Sequence, residues 1–153
     1  MTTRSTALAT FVIDRHYDAP PDEVYAAWST PTAKARWFAP GDGGSDYRLD
    51  FRVGGHELNR GRAPDGDVYT YEATYSDIVA GRRIVYTYTM DRGDTRISVS
   101  LATVEFEATG SGTRLTLSEQ GVFLDEGDKL EFREVGTRAL LDSLASALGS
   151  TSG

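Results

Sequence analysis

The chain has 153 residues, 39% apolar and 25% charged, the composition of a folded domain with one core rather than of a disordered or fibrous chain. It has no cysteine, which excludes disulfides, thiolate zinc sites and a cysteine nucleophile. Its 23 acids against 16 bases give a net charge of −7, and the bases form only short pairs such as Arg82-Arg83, so a nucleic-acid partner is not expected.

Phe11 to Tyr17 is rich in β-branched and aromatic residues and reads as a first strand. Asp18-Ala19-Pro20-Pro21 ends it. Pro21 suits a first helical turn, Asp22 and Glu23 suit its positive end, and Val24, Ala27 and Trp28 fall at helical spacing, which predicts a short helix to Trp28. Ser29-Thr30-Pro31 opens a second short helix reaching Trp37-Phe38, and Ala39-Pro40-Gly41 breaks the chain. From Asp46 to Glu119 strands alternate with turns. Tyr47, Leu49 and Phe51 share one face, and Gly54-Gly55 marks a turn or bulge. Tyr69, Tyr71, Ala73 and Tyr75 make a half-buried strand, and Ile84, Tyr86, Tyr88 and Met90 the apolar side of the next. Ile97, Val99 and Leu101 alternate before the phase moves to Val104 and Phe106, which predicts a bulge between them. Leu115 and Leu117 place Glu119 on the same face at spacing two.

Asp128 to Leu148 is the one long helical pattern, with Leu130, Leu141, Leu144 and Leu148 on a stripe widened by Val135 and Leu140. The order is strand, two short helices, about six strands, one long helix. This predicts an α+β fold in which an antiparallel meander packs its apolar face on the helix. The domain is expected over residues 8–149, with flexible termini at 1–7 and 150–153.

The inward face carries many tyrosines, whose hydroxyls need partners or water. They either straddle the core edge or line a cavity. The first half of the helix stripe is polar, through Arg133, Glu134 and Thr137. It is either solvated beyond the sheet or the polar mouth of a pocket. Glu119 sits at the rim, pairs with a cation such as Arg133, or is functional, because an unpaired buried charge is very costly. No motif for a nucleotide, a metal or a serine nucleophile is present. His16 and His56 read as surface strand residues, Gly41, Gly43 and Gly44 lead into a strand rather than a helix, and Asp50 and Glu57 form a candidate carboxylate pair. No cofactor is expected. No run approaches the about 18 apolar residues of a membrane span. The start lacks the apolar run of a secretory signal, so a cytoplasmic location is expected.

Several motifs, in order, resemble one family. Tyr17-Asp18-Ala19-Pro20-Pro21 followed by Ala27-Trp28-Ser29-Thr30-Pro31, then Trp37-Phe38-Ala39-Pro40, then Asp50-Phe51-Arg52-Val53-Gly54-Gly55, are similar to bacterial proteins related to the C-terminal domain of the Hsp-90 ATPase activator. Arg83 to Thr87, Thr113 to Leu117 and Gly121-Val122-Phe123 continue the likeness. The resemblance implies the helix-grip fold of the START and birch-pollen-allergen (SRPBCC) superfamily, with a deep cavity between sheet and C-terminal helix. It also implies two departures. Relatives often carry Gly-Trp where this chain has Gly136-Thr137, which should enlarge or open the cavity, and often a histidine where this chain has Glu119.

Three functions are expected in descending order: binding of a small hydrophobic or amphipathic molecule, polyketide-cyclase-like or hydrolase-like catalysis in the same cavity, and a chaperone-interaction module. The candidate ligand-binding residues are Trp37, Phe51, Tyr69, Tyr71, Tyr86 and Tyr88, together with Leu101, Glu119, Phe123, Arg133, Thr137 and Leu141. Exposed strand edges are compatible with a homodimer.

Overall fold

The computed structural model describes residues 4–40 and 46–151. Gly41, Gly43 and Gly44 and the outermost residues of both termini lie outside them. The first strand, β1, runs Thr6–Tyr17, followed by the helices α1, Pro21–Ser29, and α2, Pro31–Phe38. Each helix has its proline in the first turn, where a missing N–H costs nothing. Six strands follow: β2 Asp46–Leu49, β3 His56–Arg62, β4 Val68–Val79, β5 Arg83–Arg92, β6 Thr95–Thr109 and β7 Gly112–Leu124. The long helix α3 spans Leu130–Thr151. Regular structure therefore extends past the expected 8–149 at both ends. Thr6 and Ala7 pair with Leu124 and Phe123, and α3 does not stop at Gly149.

The strands form one antiparallel sheet in the order β1-β7-β6-β5-β4-β3-β2. The meander from β2 to β7 leaves β1 to close against β7, so the first and last strands are neighbours at one side of the sheet. The sheet wraps α3, and the helix is fastened to β1. The Tyr17 hydroxyl donates to the Leu141 carbonyl at 3.0 Å, and Arg15 reaches Asp142 at 3.3 Å. Val24, Trp28 and Trp37 from the short helices meet Ile13, Ile84, Val104, Leu115, Leu141 and Leu144 in a closed core.

Two bulges curve the sheet. Ser76 is the extra residue between Tyr75 and Asp77, and Ile97 the extra residue opposite Met90 and Asp91. The second corrects the expected phase of β6. From Ser98 onward the strand alternates without interruption, and Ser98, Ser100, Ala102, Val104 and Phe106 face inward. Val99 and Leu101 face outward, 40% and 38% exposed. The two inward serines are compensated by a buried guanidinium described below. On α3 the buried stripe is Arg133, Thr137, Leu141 and Leu144, while Val135, half a turn away, is 67% exposed.

Candidate functional site

Between the first half of α3 and the sheet lies a cavity of about 310 Å3, within the usual ligand-pocket range at its small end. Its position follows from side-chain volume. The second half of α3 presents Leu141 and Leu144 to the sheet and closes on it, whereas the first half presents Arg133, Gly136 and Thr137. Gly136 has no atom of a neighbouring element near its missing Cβ, and Thr137 turns its hydroxyl back onto the Arg133 carbonyl at 2.9 Å. The helix therefore contributes no bulk here, and space remains.

The walls are aromatic. Trp28, Trp37 and Phe38 come from α1 and α2; Tyr71, Tyr86 and Tyr88 come from β4 and β5. The rings meet mostly edge to face or tilted: Trp28 and Trp37 at 4.9 Å, Phe38 and Tyr71 at 5.0 Å, Tyr71 and Tyr88 at 4.8 Å. Met90, Leu117 and Leu140 complete the apolar lining, and Phe132, 66% exposed, stands at the helix side of the rim.

One end is polar and tightly organised. Arg133 donates through Nη1 to the Tyr88 hydroxyl at 3.0 Å and the Ser100 hydroxyl at 3.4 Å, and through Nη2 to the Ser98 hydroxyl at 2.7 Å and Asp128 Oδ2 at 2.8 Å. Glu119 Oε2 lies 3.7 Å from Arg133 Nη1 and accepts from the Tyr88 hydroxyl at 2.7 Å. The guanidinium also lies over the Phe123 and Tyr88 rings at 5.3 and 5.5 Å. Glu119 is 4% exposed; burial raises its carboxyl above the ordinary value, and Tyr88 and Arg133 pull the other way. Burial holds the Tyr88 phenol well above its usual range, so it remains a neutral donor.

A second buried ion pair stands behind the aromatic wall. Lys34 Nζ contacts Glu57 at 2.9 and 2.8 Å, and both side chains are fully buried. Tyr75 and Tyr47 each donate to Glu57 at 2.6 Å. Nζ also sits 4.4 Å from the Phe38 ring centre and 5.1 Å from that of Trp28. Burial lowers the Lys34 amine below its ordinary value, opposed by the Glu57 charge. This pair pins α2, and with it Trp37 and Phe38, to β3 and β4.

Three buried polar side-chain atoms have no hydrogen-bond partner among the described residues. They are the Tyr71 hydroxyl and Trp28 Nε1, both in cavity residues, and Arg15 Nε. Burial keeps the Tyr71 phenol far above its usual value and hence neutral. A larger hollow, about 640 Å3, lies against the outer sheet surface beside Thr74, Thr87, Arg96 and Val99; it contains neither unpartnered cavity residue. No cluster of three or more His, Asp or Glu able to hold a metal occurs among the described residues, and none of their helices is long and apolar enough to cross a membrane.

Of the residues expected from sequence, Trp37, Tyr71, Tyr86 and Tyr88 line the cavity, as do Glu119, Arg133, Thr137 and Leu141. Four do not. Phe51 follows β2 and packs against Tyr25 and Tyr75 behind α1. Tyr69 is at the β4 end, with its hydroxyl 3.4 Å from Asp65. Leu101 faces outward because of the bulge at Ile97. Phe123 is buried under Arg133 and supports it instead of the cavity. Asp50 pairs with Arg52 at 2.9 Å and not with Glu57. Trp28, Phe38, Asn59, Leu117 and Asp128 line the cavity without having been singled out. Leu117 could have been found two residues before Glu119, and Phe38 beside Trp37, whereas nothing local marks Asn59.

A model of the Activator of Hsp90 ATPase homolog 1-like protein family matches residues 18–149. The chain belongs to that family. Solved structures of similar proteins are uncharacterised members of the same fold. A Rhizobium leguminosarum protein is 47% identical over 97% of this chain and 99% of its own, with a TM-score of 0.93. A Rhizobium loti protein is 43% identical over 94% and 99%, TM-score 0.89. A Chromobacterium violaceum protein is 26% identical over 91% and 96%, TM-score 0.73. No match was found among proteins with curated descriptions. The family assignment and the wrapped sheet agree on a helix-grip fold, an architecture typical of ligand-binding proteins.

Proposed function

We propose that this family member binds a small hydrophobic or amphipathic molecule in the cavity between α3 and the sheet. The observation that carries the reading is the cavity itself: about 310 Å3 left open where α3 turns Gly136 and Thr137 to a wall of six aromatic rings. A core selected only for stability closes such a space, because unfilled volume costs roughly 24 cal/mol per Å3. The test is native mass spectrometry of protein purified from its own host, beside a Thr137→Trp variant whose indole occupies the cavity. A noncovalent small-molecule adduct on the wild type that is absent from the variant supports the reading. An adduct retained by the variant contradicts it.

Glu119 favours a second, catalytic reading. It is a buried carboxyl with a raised protonation equilibrium, hydrogen-bonded to Tyr88 and lining the cavity, an arrangement suited to proton transfer. Glu119→Gln would then abolish turnover while leaving binding of the same compound within a few-fold. The family's name connects its eponymous member to the Hsp90 ATPase; for this chain that link ranks below both cavity readings.

A further inference from the structure

The charges in the cavity wall bear on the ligand's own charge. Among the described residues lining it, the ionisable groups of opposite sign are Arg133 on one side and Glu119 and Asp128 on the other. Arg133 is committed within the wall: both terminal nitrogens donate to wall hydroxyls and to Asp128, and Glu119 lies at 3.7 Å. An Arg so engaged has no free fork to offer a carboxylate or phosphate. The two carboxylates are likewise held, Glu119 by Tyr88 and Asp128 by Arg133. Behind the rings, Lys34 and Glu57 neutralise each other. A charged ligand of either sign would therefore enter without a counter-charge, which is expensive among buried aromatic side chains. The residual charge from one cation and two carboxylates makes an anion the worst case. The polar groups left to meet a ligand are neutral: the Tyr71 hydroxyl and Trp28 Nε1 have no partner among the described residues, and Asn59 spends one bond, Nδ2 to the Phe38 carbonyl at a long 3.4 Å. The six rings favour a flat π-system over an acyl chain.

We propose that the cavity selects an uncharged, flat aromatic compound with a neutral polar substituent and discriminates against its carboxylate counterpart, because Glu119 and Asp128 already occupy Arg133. The inference rests on the binding function proposed above and goes further by naming the ligand's charge and shape.

The test is calorimetric titration of the wild type with three probes of one shape: 2-acetonaphthone, 2-naphthoate and 2-naphthylmethylammonium. The ketone is expected to bind at least tenfold more tightly than the carboxylate, with the ammonium between them. The double variant Glu119→Gln/Asp128→Asn keeps both acceptor oxygens but frees the Arg133 charge. In it the ketone-to-carboxylate affinity ratio should fall at least tenfold. Because the ratio is measured within one variant, partial loss of fold does not produce it. Equal or tighter binding of 2-naphthoate to the wild type, or a ratio unmoved in the double variant, overturns the inference alone. Absence of binding by all three probes, or binding that survives Thr137→Trp, overturns the binding function as well.

Discussion

Replacing Lys34 with methionine isolates the ion pair that holds the cavity's aromatic wall. Methionine keeps the unbranched stem between Trp28, Trp37 and Phe38 but removes Nζ and its contacts of 2.9 and 2.8 Å to Glu57 and 3.3 Å to the Tyr75 hydroxyl. Glu57, fully buried, is left with only the Tyr47 and Tyr75 donors and no counter-charge. Breaking a buried pair from one side costs about 3–5 kcal/mol. That is a third or more of a stability at the low to middle part of the about 5–15 kcal/mol range typical of domains. Glu57→Gln alone strands the Lys34 charge and is expected to cost a similar amount. Combined with Lys34→Met it removes both charges while keeping an oxygen for the tyrosines, so the double variant should fall short of the sum of the singles by about 2–3 kcal/mol. Urea unfolding at neutral pH, followed by circular dichroism, measures all four species. If Lys34→Met costs under about 1 kcal/mol, or the two substitutions simply add, the pair does not hold α2 in place.

The protonation of Glu119 sets a pH dependence. Burial raises the carboxyl from its ordinary value of 4.5, so the folded chain holds the proton to higher pH than the unfolded chain. Below about 4.5 both states are protonated; as pH rises from there through the folded value, this contribution to stability is lost. Glu119→Gln should remove that decline, which a comparison of unfolding free energies for the two proteins across the mildly acidic range reads directly; parallel curves would contradict it. Gly127→Ala places a Cβ 2.6 Å from Ile97 Cγ2, in the β6 bulge, and should cost about 1–3 kcal/mol, seen as a lower denaturation midpoint. Tyr17→Phe removes the buried donor to the Leu141 carbonyl and should cost about 1–3 kcal/mol, with hydrogen exchange accelerated along α3; an unchanged exchange pattern would show that this bond does not tether the helix.

The fold was legible because its elements obey simple periods. The prolines at Pro21 and Pro31 place two helix starts, and β4 and β5 alternate tyrosines with polar residues. Glu119 was legible for the same reason, two residues beyond Leu117 on a period-two strand. The interior of β6 was not. Its apolar residues Val99 and Leu101 lie outside and its serines inside, and only the guanidinium of Arg133, far along the chain, explains why the polar side is buried. The Lys34–Glu57 pair was equally hidden. A lysine in a short helix normally reaches water, although Lys34 does share a helical face with Trp37 and Phe38, and Glu57 pairs in register with the inward Ala73. Long-range charge compensation leaves no local periodicity, so the cavity's position and Arg133 as a partner for Glu119 could be read, while the Lys34–Glu57 pair and the serine and Asp128 partners of Arg133 could not.

The most direct measurement is a methyl NMR titration of the isotopically labelled protein with 2-acetonaphthone. Met90, Leu117 and Leu141 line the cavity, while Leu8 and Leu101 lie exposed, Leu101 on the outer sheet face. Ligand binding between α3 and the sheet requires saturable shifts at the first three and none at the last two, with the shifts lost in Thr137→Trp. Shifts confined to Leu8 and Leu101, or unchanged in that variant, would contradict a cavity that binds.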